Sequence, residues 1–176
     1  MTEAEREFAI RQLTEGRDAF LSAFAGLSAA QLHFKADSDN WSIAECIEHI
    51  TVTEEALLKL VTNGKANPEG VPLDPAKDGR MAAAVVNRNR KVSAPASVRP
   101  TGRFQSLDEA GAKFCGSRER AISFARDCTD DLRSLFTPHP VLGDIDCYRC
   151  LLLLALHPAR HAAQIEEIKR NPAFPR

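Results

Sequence analysis

The chain has 176 residues and a mass of 19.3 kDa, which suits one domain, residues 1–176, with a core of ordinary size. Its 23 Lys and Arg residues nearly balance 24 Asp and Glu residues, and the pI is about 6.5, so the charge excludes a strongly basic nucleic-acid-binding or membrane-surface protein. We therefore expect a small molecule or another protein as the partner, and no nucleic acid or membrane.

Helical periodicity dominates the sequence, whereas strand alternation is hard to find and β-branched runs are missing. Thr2 with Glu5 and Ser42 with Glu45 have the spacing of capping boxes, and Ser106 has the position of a third cap. A turn is predicted from Thr137 to Gly143. The predicted helices run from Thr2 to about Leu27, from Ser42 to about Thr62, from Ser106 to about Cys128, and from about Asp144 to Arg170.

The segment from Lys65 to Gln105 separates the second predicted helix from the third and holds five of the ten prolines. This composition predicts a long irregular crossover, with a short helix between Gly79 and Lys91. Such long connections in compact domains usually cover a site or join distant elements. Four long helices with one crossover between helices 2 and 3 describe an all-α four-helix bundle. The basic residues of the crossover indicate a solvated face that could also meet an anionic cosubstrate: Arg88, Arg90 and Lys91.

We expect neither a signal peptide nor a membrane-spanning helix. The longest apolar run, Leu151 to Leu156, is far shorter than the roughly 20 residues of a spanning helix. The first residues, MTEAEREFAI, carry acids where a signal peptide carries positive charge. Five cysteines without a disulfide-framework spacing indicate free thiols in a reducing compartment, so we expect a cytoplasmic protein.

Two histidines, His157 and His161, lie four residues apart on the last predicted helix. At about 100 degrees per residue they share an inward stripe with Leu154, and His49 lies near the edge of the apolar arc of the second helix. Three buried imidazoles are costly without partners, and one divalent metal would bind a lone pair from each. Alternatively, the H-x-x-x-H spacing arises by chance, the two rings bond within the core, and His49 belongs elsewhere.

Pro158 directly follows His157 inside the predicted helix. Proline has no N–H to donate to the carbonyl of Leu154, and its ring crowds that carbonyl. A kink or local widening is expected, and it could either displace the His157 ring or aim it.

Three further features bear on a site. Gln164 follows His161 by three residues, so its side chain could contact a metal ligand or face a neighbouring helix. Glu48 points about 100 degrees away from His49, which predicts exposure to solvent. The pair Cys147-x-x-Cys150 lacks the surrounding pattern of a redox protein and indicates buried structural thiols. No residue stands out as a second catalytic group.

The segments WSIAECIEHI at 41–50 and ALHPARHAAQI at 155–165, with HPVLG at 139–143 before the second, resemble the DinB-like superfamily in their order and separation. The resemblance covers nearly the whole chain. It implies a four-helix bundle with a long crossover between helices 2 and 3, and a metal site with one histidine from helix 2 and two from helix 4. Matched residue by residue, the implied metal ligands are His49, His157 and His161.

The same resemblance implies a homodimer and a metal-dependent transferase that uses a low-molecular-weight thiol such as bacillithiol, mycothiol or glutathione on a small-molecule substrate. Three histidine ligands leave one coordination position open, where a bound thiol or water would be acidified. Imidazole suits zinc, nickel, copper and iron, and the resemblance favours zinc or nickel as the divalent metal. The alternatives are a small metal-dependent hydrolase and a non-catalytic metal-binding or stress-related bundle.

Overall fold

This computed structural model describes residues 1–67, 74–89 and 92–176, and these ranges contain six α-helices, a short 3-10 helix and three short strands. Four helices of 20 to 23 residues form a bundle, which confirms the predicted all-α class. Within those ranges, no helix is long and apolar enough to cross a membrane. The helices are α1 (Glu3–Phe24), α2 (Ala29–Leu32), α3 (Ile43–Thr62), α4 (Ala76–Val86), α5 (Leu107–Asp127) and α6 (Cys147–Lys169).

The four long helices, α1, α3, α5 and α6, surround a common core, in which α1 and α3 each pack against both α5 and α6. Two clusters of buried side chains follow one another along the bundle. One includes Leu13 and Leu151, and the other includes Phe20 and Ile165. All four side chains are fully buried, and each such burial contributes about 1.5–3 kcal/mol. The packing of these apolar faces holds α3 and α6 side by side.

Side chains cap the start of each long helix, as the sequence predicted for three of them. Thr2 accepts a hydrogen bond from the N–H of Glu5, and Ser42 accepts one from the N–H of Glu45. In both capping boxes the glutamate carboxylate accepts in return from the N–H of the cap residue. Ser106 caps α5, because its hydroxyl accepts a hydrogen bond from the N–H of Glu109, the third residue of the helix. These local bonds explain why the helix starts could be predicted.

A small antiparallel sheet is the main departure from the prediction. Its central strand is β2, and the strands are β1 (Lys65–Ala66), β2 (Leu135–His139) and β3 (Gly143–Asp146). The turn predicted from Thr137 to Gly143 was therefore too long, because the strands enclose a turn at 140–142 only. The last helix begins at Cys147 rather than near Asp144, and Asp146 caps it. Strands of two to five residues are too short to show alternation in a sequence.

The long crossover between α3 and α5 is confirmed, and charged side chains fasten it to the bundle. Arg149 of α6 donates a hydrogen bond to Asp78 of α4 at 2.9 Å. Near the other end of α4, Arg160 donates to the carbonyl of Asn87. The crossover helix, α4, starts and ends earlier than the predicted Gly79–Lys91, and a short 3-10 helix follows at Ala96–Val98. The residues of the predicted crossover that lie outside the described ranges include Pro68, Pro72, Arg90 and Lys91.

Gly16 marks a close approach of α1 to α6, because a Cβ atom at this position would lie 2.6 Å from the carbonyl oxygen of Ala155. We expect Gly16→Ala to lower the free energy of unfolding by about 1–3 kcal/mol, since the two backbones must separate. Gly111→Ala on α5 is the matched control, because its Cβ would meet no atom within 4 Å. Gly111→Ala should raise the free energy of unfolding by about 0.5–1 kcal/mol. Urea unfolding of both variants measures the difference, and equal changes would contradict the close approach.

Candidate metal centre

Three histidines from two neighbouring helices converge at one place. His49 comes from α3, and His157 and His161 come from successive turns of α6. One ring nitrogen from each histidine lies within 4.8 Å of the other two, and the ring centroids are 4.8 to 5.2 Å apart. We call these residues the histidine triad. The structure thus brings the three predicted ligands together, and a metal bound between them stays a prediction.

The tautomer of His49 is set by the crossover. Its Nδ1 lies 2.7 Å from the carbonyl oxygen of Val98, and since a carbonyl only accepts, Nδ1 carries the hydrogen and donates. The lone pair of His49 is therefore on Nε2. Metal-binding histidines are commonly oriented by a backbone carbonyl in this way.

The two histidines of α6 face each other through their Nε2 atoms, which are 3.2 Å apart. Two neutral rings can share only one hydrogen atom between these nitrogens. Two nitrogen ligands of a tetrahedral zinc ion, with bonds of about 2.0–2.1 Å, lie about 3.3 Å apart. The spacing of the two Nε2 atoms therefore fits both a hydrogen bond between the rings and a shared metal ion.

The electrostatic surroundings keep the triad neutral. Burial lowers the pKa of His157 to about 3, and the charges of Arg160, Arg118 and a protonated His49 would lower it further. Burial also lowers the pKa of His161 well below its usual value, and it lowers the pKa of His49. Histidine binds metals as the neutral ring, so these surroundings leave lone pairs available for a cation.

Trp41 closes one side of the triad. Its ring centroid is 4.8 Å from that of His49, and it stacks on His161 at 6.1 Å with an interplanar angle of 19°. The Nδ1 of His161 is buried and has no hydrogen-bond partner in the described ranges, so the contact of its Nε2 with His157 and the stacking on Trp41 orient this ring. His49 and His161 are 4% and 5% exposed, whereas His157 is partly exposed. Of the three residues, His157 is therefore the most exposed to solvent.

Comparison with known proteins identifies the family of the chain. Residues 12–165 match the sequence profile of the DinB superfamily. The chain belongs to the DinB superfamily. YuaE of Bacillus subtilis (strain 168), an uncharacterized protein, is 24% identical over 146 residues, which cover 83% of this chain and 88% of YuaE. The resemblance carried by the segments around the three histidines is thereby confirmed.

A solved structure also shares the fold. It is that of YfiT from Bacillus subtilis, described as a probable metal-dependent hydrolase with an unusual four-helix bundle topology. The two structures superpose with a TM-score of 0.64 over 99% of this chain and 91% of YfiT, at 16% sequence identity. At that identity the likeness shows the fold, and it confirms the bundle of this DinB-superfamily chain.

The prediction that Glu48 faces solvent is wrong. Its side chain is buried, and its carboxylate accepts hydrogen bonds from the backbone N–H groups of Thr101 at 2.7 Å and Gly102 at 2.9 Å. Arg103 adds a salt bridge at 3.1 Å. Helix geometry gave the direction of Glu48 relative to His49 correctly, but the crossover covers that side of α3. Adjacent residues of α3 thus hold the same stretch of crossover, residues 98–103.

We expect Glu48→Ala to lower the free energy of unfolding by about 1.5–3 kcal/mol, because it leaves two N–H groups without their charged acceptor. The Val98 carbonyl should then hold the His49 ring less firmly, and zinc affinity should fall by about tenfold. Glu55→Ala is the matched control, because Glu55 lies on the exposed side of the same helix. Urea unfolding and zinc titration measure both effects, and identical values for the two variants would contradict this role of Glu48.

The remaining candidate residues are Gln164 and the two cysteines of α6. Gln164 is partly buried, and no hydrogen bond joins it to the triad within the described parts of the chain. Its contact with a bound ligand stays a prediction. Cys147 and Cys150 are fully buried free thiols, and burial raises the pKa of Cys147 to about 11. These properties are those of buried structural thiols, as predicted.

A buried ion pair beneath the triad was missed by the sequence analysis. Arg118 of α5 donates to Glu54 of α3 at 2.7 Å, with side chains that are 0% and 2% exposed. Burial raises the pKa of Glu54 to about 7, and the charge of Arg118 opposes that rise. A signal was present, because Arg118 lies four residues after Phe114 and three before Ala121, on the same face of the helix as these two apolar residues.

Proposed function

We propose that this protein is a metal-dependent transferase in which the histidine triad, His49, His157 and His161, binds one divalent metal, zinc or nickel, and a low-molecular-weight thiol reacts at the open position. The observation that supports this most directly is the convergence of three imidazole rings, two of them with Nε2 atoms 3.2 Å apart. A divalent metal held there would acidify a bound thiol, so that the thiolate is the nucleophile at neutral pH.

Each residue of the triad has a contact or an exposure to solvent that suits its proposed role. Val98 fixes the tautomer of His49, and Trp41 fixes the plane of His161. The partial exposure of His157 leaves a side from which a substrate can approach. These contacts preorganise the ligands, which matters because a metal site loses affinity when its ligands must be ordered on binding.

Positive charge near the triad favours an anionic cosubstrate. Arg88 and Arg160 both lie close enough to lower the pKa of His161. Arg88 is 2.8 Å from Glu167 in an ion pair, and Arg160 is anchored on the carbonyl of Asn87. Low-molecular-weight thiols such as glutathione carry carboxylates, which such a field would attract.

A metal-dependent hydrolase is the second candidate, because YfiT, which shares the fold, is described as a probable one. The same open coordination position would then take water in place of the thiol. A non-catalytic metal-binding bundle is the third. The candidates differ in what the protein consumes, so an activity measurement separates them.

The experiment uses protein purified without an affinity tag and loaded with zinc or nickel. Bacillithiol, mycothiol and glutathione are each offered with a panel of electrophiles, and the panel is repeated without thiol. The proposal predicts a conjugate whose formation requires both the metal and one of the thiols. The His161→Ala variant should not form this conjugate. Hydrolysis of panel members without thiol would establish the second candidate instead. Metal-loaded protein that is inert throughout would favour the non-catalytic bundle.

The homodimer implied by the family resemblance is also proposed. Light scattering coupled to size-exclusion chromatography tests it. A mass near 39 kDa, twice the 19.3 kDa of one chain, is expected, and a mass of one chain would contradict it.

A further inference from the structure

We propose that Arg118 is a positioning residue for His157: it supplies the hydrogen bond that Pro158 removes from α6, and so holds the helix at the point that directs the His157 ring. The inference rests on the proposed metal site, to which it adds a residue from a third helix, α5. Arg118 acts through the carbonyl of Leu154.

Pro158 deprives one carbonyl of α6 of its usual partner. In an α-helix the carbonyl of Leu154 accepts from the N–H of residue 158, and proline has no N–H. Leu154 is fully buried, and buried backbone carbonyls are almost always paired. The helix nevertheless continues from Cys147 to Lys169, so another donor has to serve at this point.

Arg118 is that donor. Its Nη2 lies 3.2 Å from the carbonyl oxygen of Leu154, and the same nitrogen is 2.7 Å from Glu54. Its Nη1 lies 3.3 Å from the carbonyl oxygen of Leu13 on α1. One guanidinium group thus binds three helices at the level of the interrupted hydrogen bond. The planar fork of arginine suits this role, whereas a lysine presents one nitrogen.

His157 follows Leu154 by three residues, so the two side chains lie on the same side of α6 one turn apart. The path of the helix between them determines where the Nε2 of His157 falls. That atom faces the Nε2 of His161 at 3.2 Å, and a metal site tolerates displacements of only about 0.5 Å. A donor that fixes the Leu154 carbonyl therefore fixes the spacing of two proposed metal ligands.

A double-mutant cycle tests the inference in the full chain, with Arg118→Lys, Pro158→Ala and the double variant. Pro158→Ala returns an N–H to position 158, so the Leu154 carbonyl regains a helical partner and no longer depends on Arg118. Zinc affinity is measured by competition with a chromophoric chelator, and the urea midpoint is measured on metal-free protein. Arg120→Lys is the matched control, because Arg120 lies on the exposed side of the same helix.

Arg118→Lys should weaken zinc binding by about tenfold or more when Pro158 is present, the effect typical of residues that orient metal ligands. In the Pro158→Ala background, Arg118→Lys should weaken zinc binding by less than about threefold. Arg120→Lys should leave zinc affinity unchanged both with Pro158 and with Pro158→Ala. Equal losses in both backgrounds would overturn the inference. If Arg118→Lys does not fold, Glu54→Gln replaces it in the cycle, because it loosens Arg118 without removing it, and the same pattern is expected.

Failure of the metal site itself would look different. If the unaltered protein binds no zinc, the proposed function is wrong, and the urea midpoints of the metal-free variants decide the inference. A midpoint loss from Arg118→Lys that shrinks in the Pro158→Ala background supports the link between Arg118 and the interrupted helix. Additive losses overturn it.

Discussion

Replacing His161 with alanine should weaken zinc binding by about a hundredfold or more, because it removes one of three proposed ligands. Zinc sites with four ligands bind with roughly 10–16 kcal/mol at neutral pH, so one ligand accounts for several kcal/mol. His161 is the most informative member of the triad, because within the described residues its Nε2 has one hydrogen-bond partner and its Nδ1 has none. Its removal should therefore disturb few polar contacts of the fold.

Zinc titration of tag-free His161→Ala measures this effect, with His33→Ala as the control, because His33 is exposed and lies outside the triad. The control should bind zinc as the unaltered protein does. Similar zinc affinities for the two variants would show that the metal, if bound, is held elsewhere.

Glu54→Ala should lower the free energy of unfolding by about 3–5 kcal/mol, because it leaves the charge of Arg118 buried without its partner. The ion pair has a separation of 2.7 Å and lies almost wholly out of solvent. The measurement belongs at pH 8, above the raised pKa of Glu54, where its carboxyl is ionised in the unaltered protein. Of the substitutions on α3 considered for stability, this one has the largest expected effect.

Urea unfolding of Glu54→Ala and of Glu55→Ala makes the comparison within one helix. Glu55 is exposed and 3.7 Å from Arg120, and surface pairs of this kind contribute about 0–1 kcal/mol. A Glu54→Ala variant no less stable than Glu55→Ala would mean that Arg118 finds another acceptor or reaches water.

The helices were predictable because their signals are local. Thr2 and Ser42 form capping boxes with residues three positions away, and those bonds need no other part of the chain. The position of His157 and His161 on one face of α6 is equally local, because the two residues are four positions apart. Placing His49 beside them required the family resemblance. The short strands β2 and β3 escaped prediction because their stability comes from pairing, which neither strand shows alone.

Residues whose role depends on a distant segment could not be assigned from sequence. Glu48 is buried by the crossover, more than 50 residues away along the chain, so its exposure depended on where that segment lies. Arg118 compensates for a proline on another helix. Its position on an apolar face was visible, but its partners, Glu54 and the Leu154 carbonyl, were not.

X-ray absorption spectroscopy of tag-free protein loaded with one equivalent of zinc tests the metal site most directly. The account predicts three imidazole nitrogens at about 2.0–2.1 Å, with any further ligand a light atom from solvent. His49→Ala, His157→Ala and His161→Ala should each lose one imidazole from that signal. A sulfur ligand at about 2.3 Å, or a spectrum unchanged by these substitutions, would contradict the three-histidine centre.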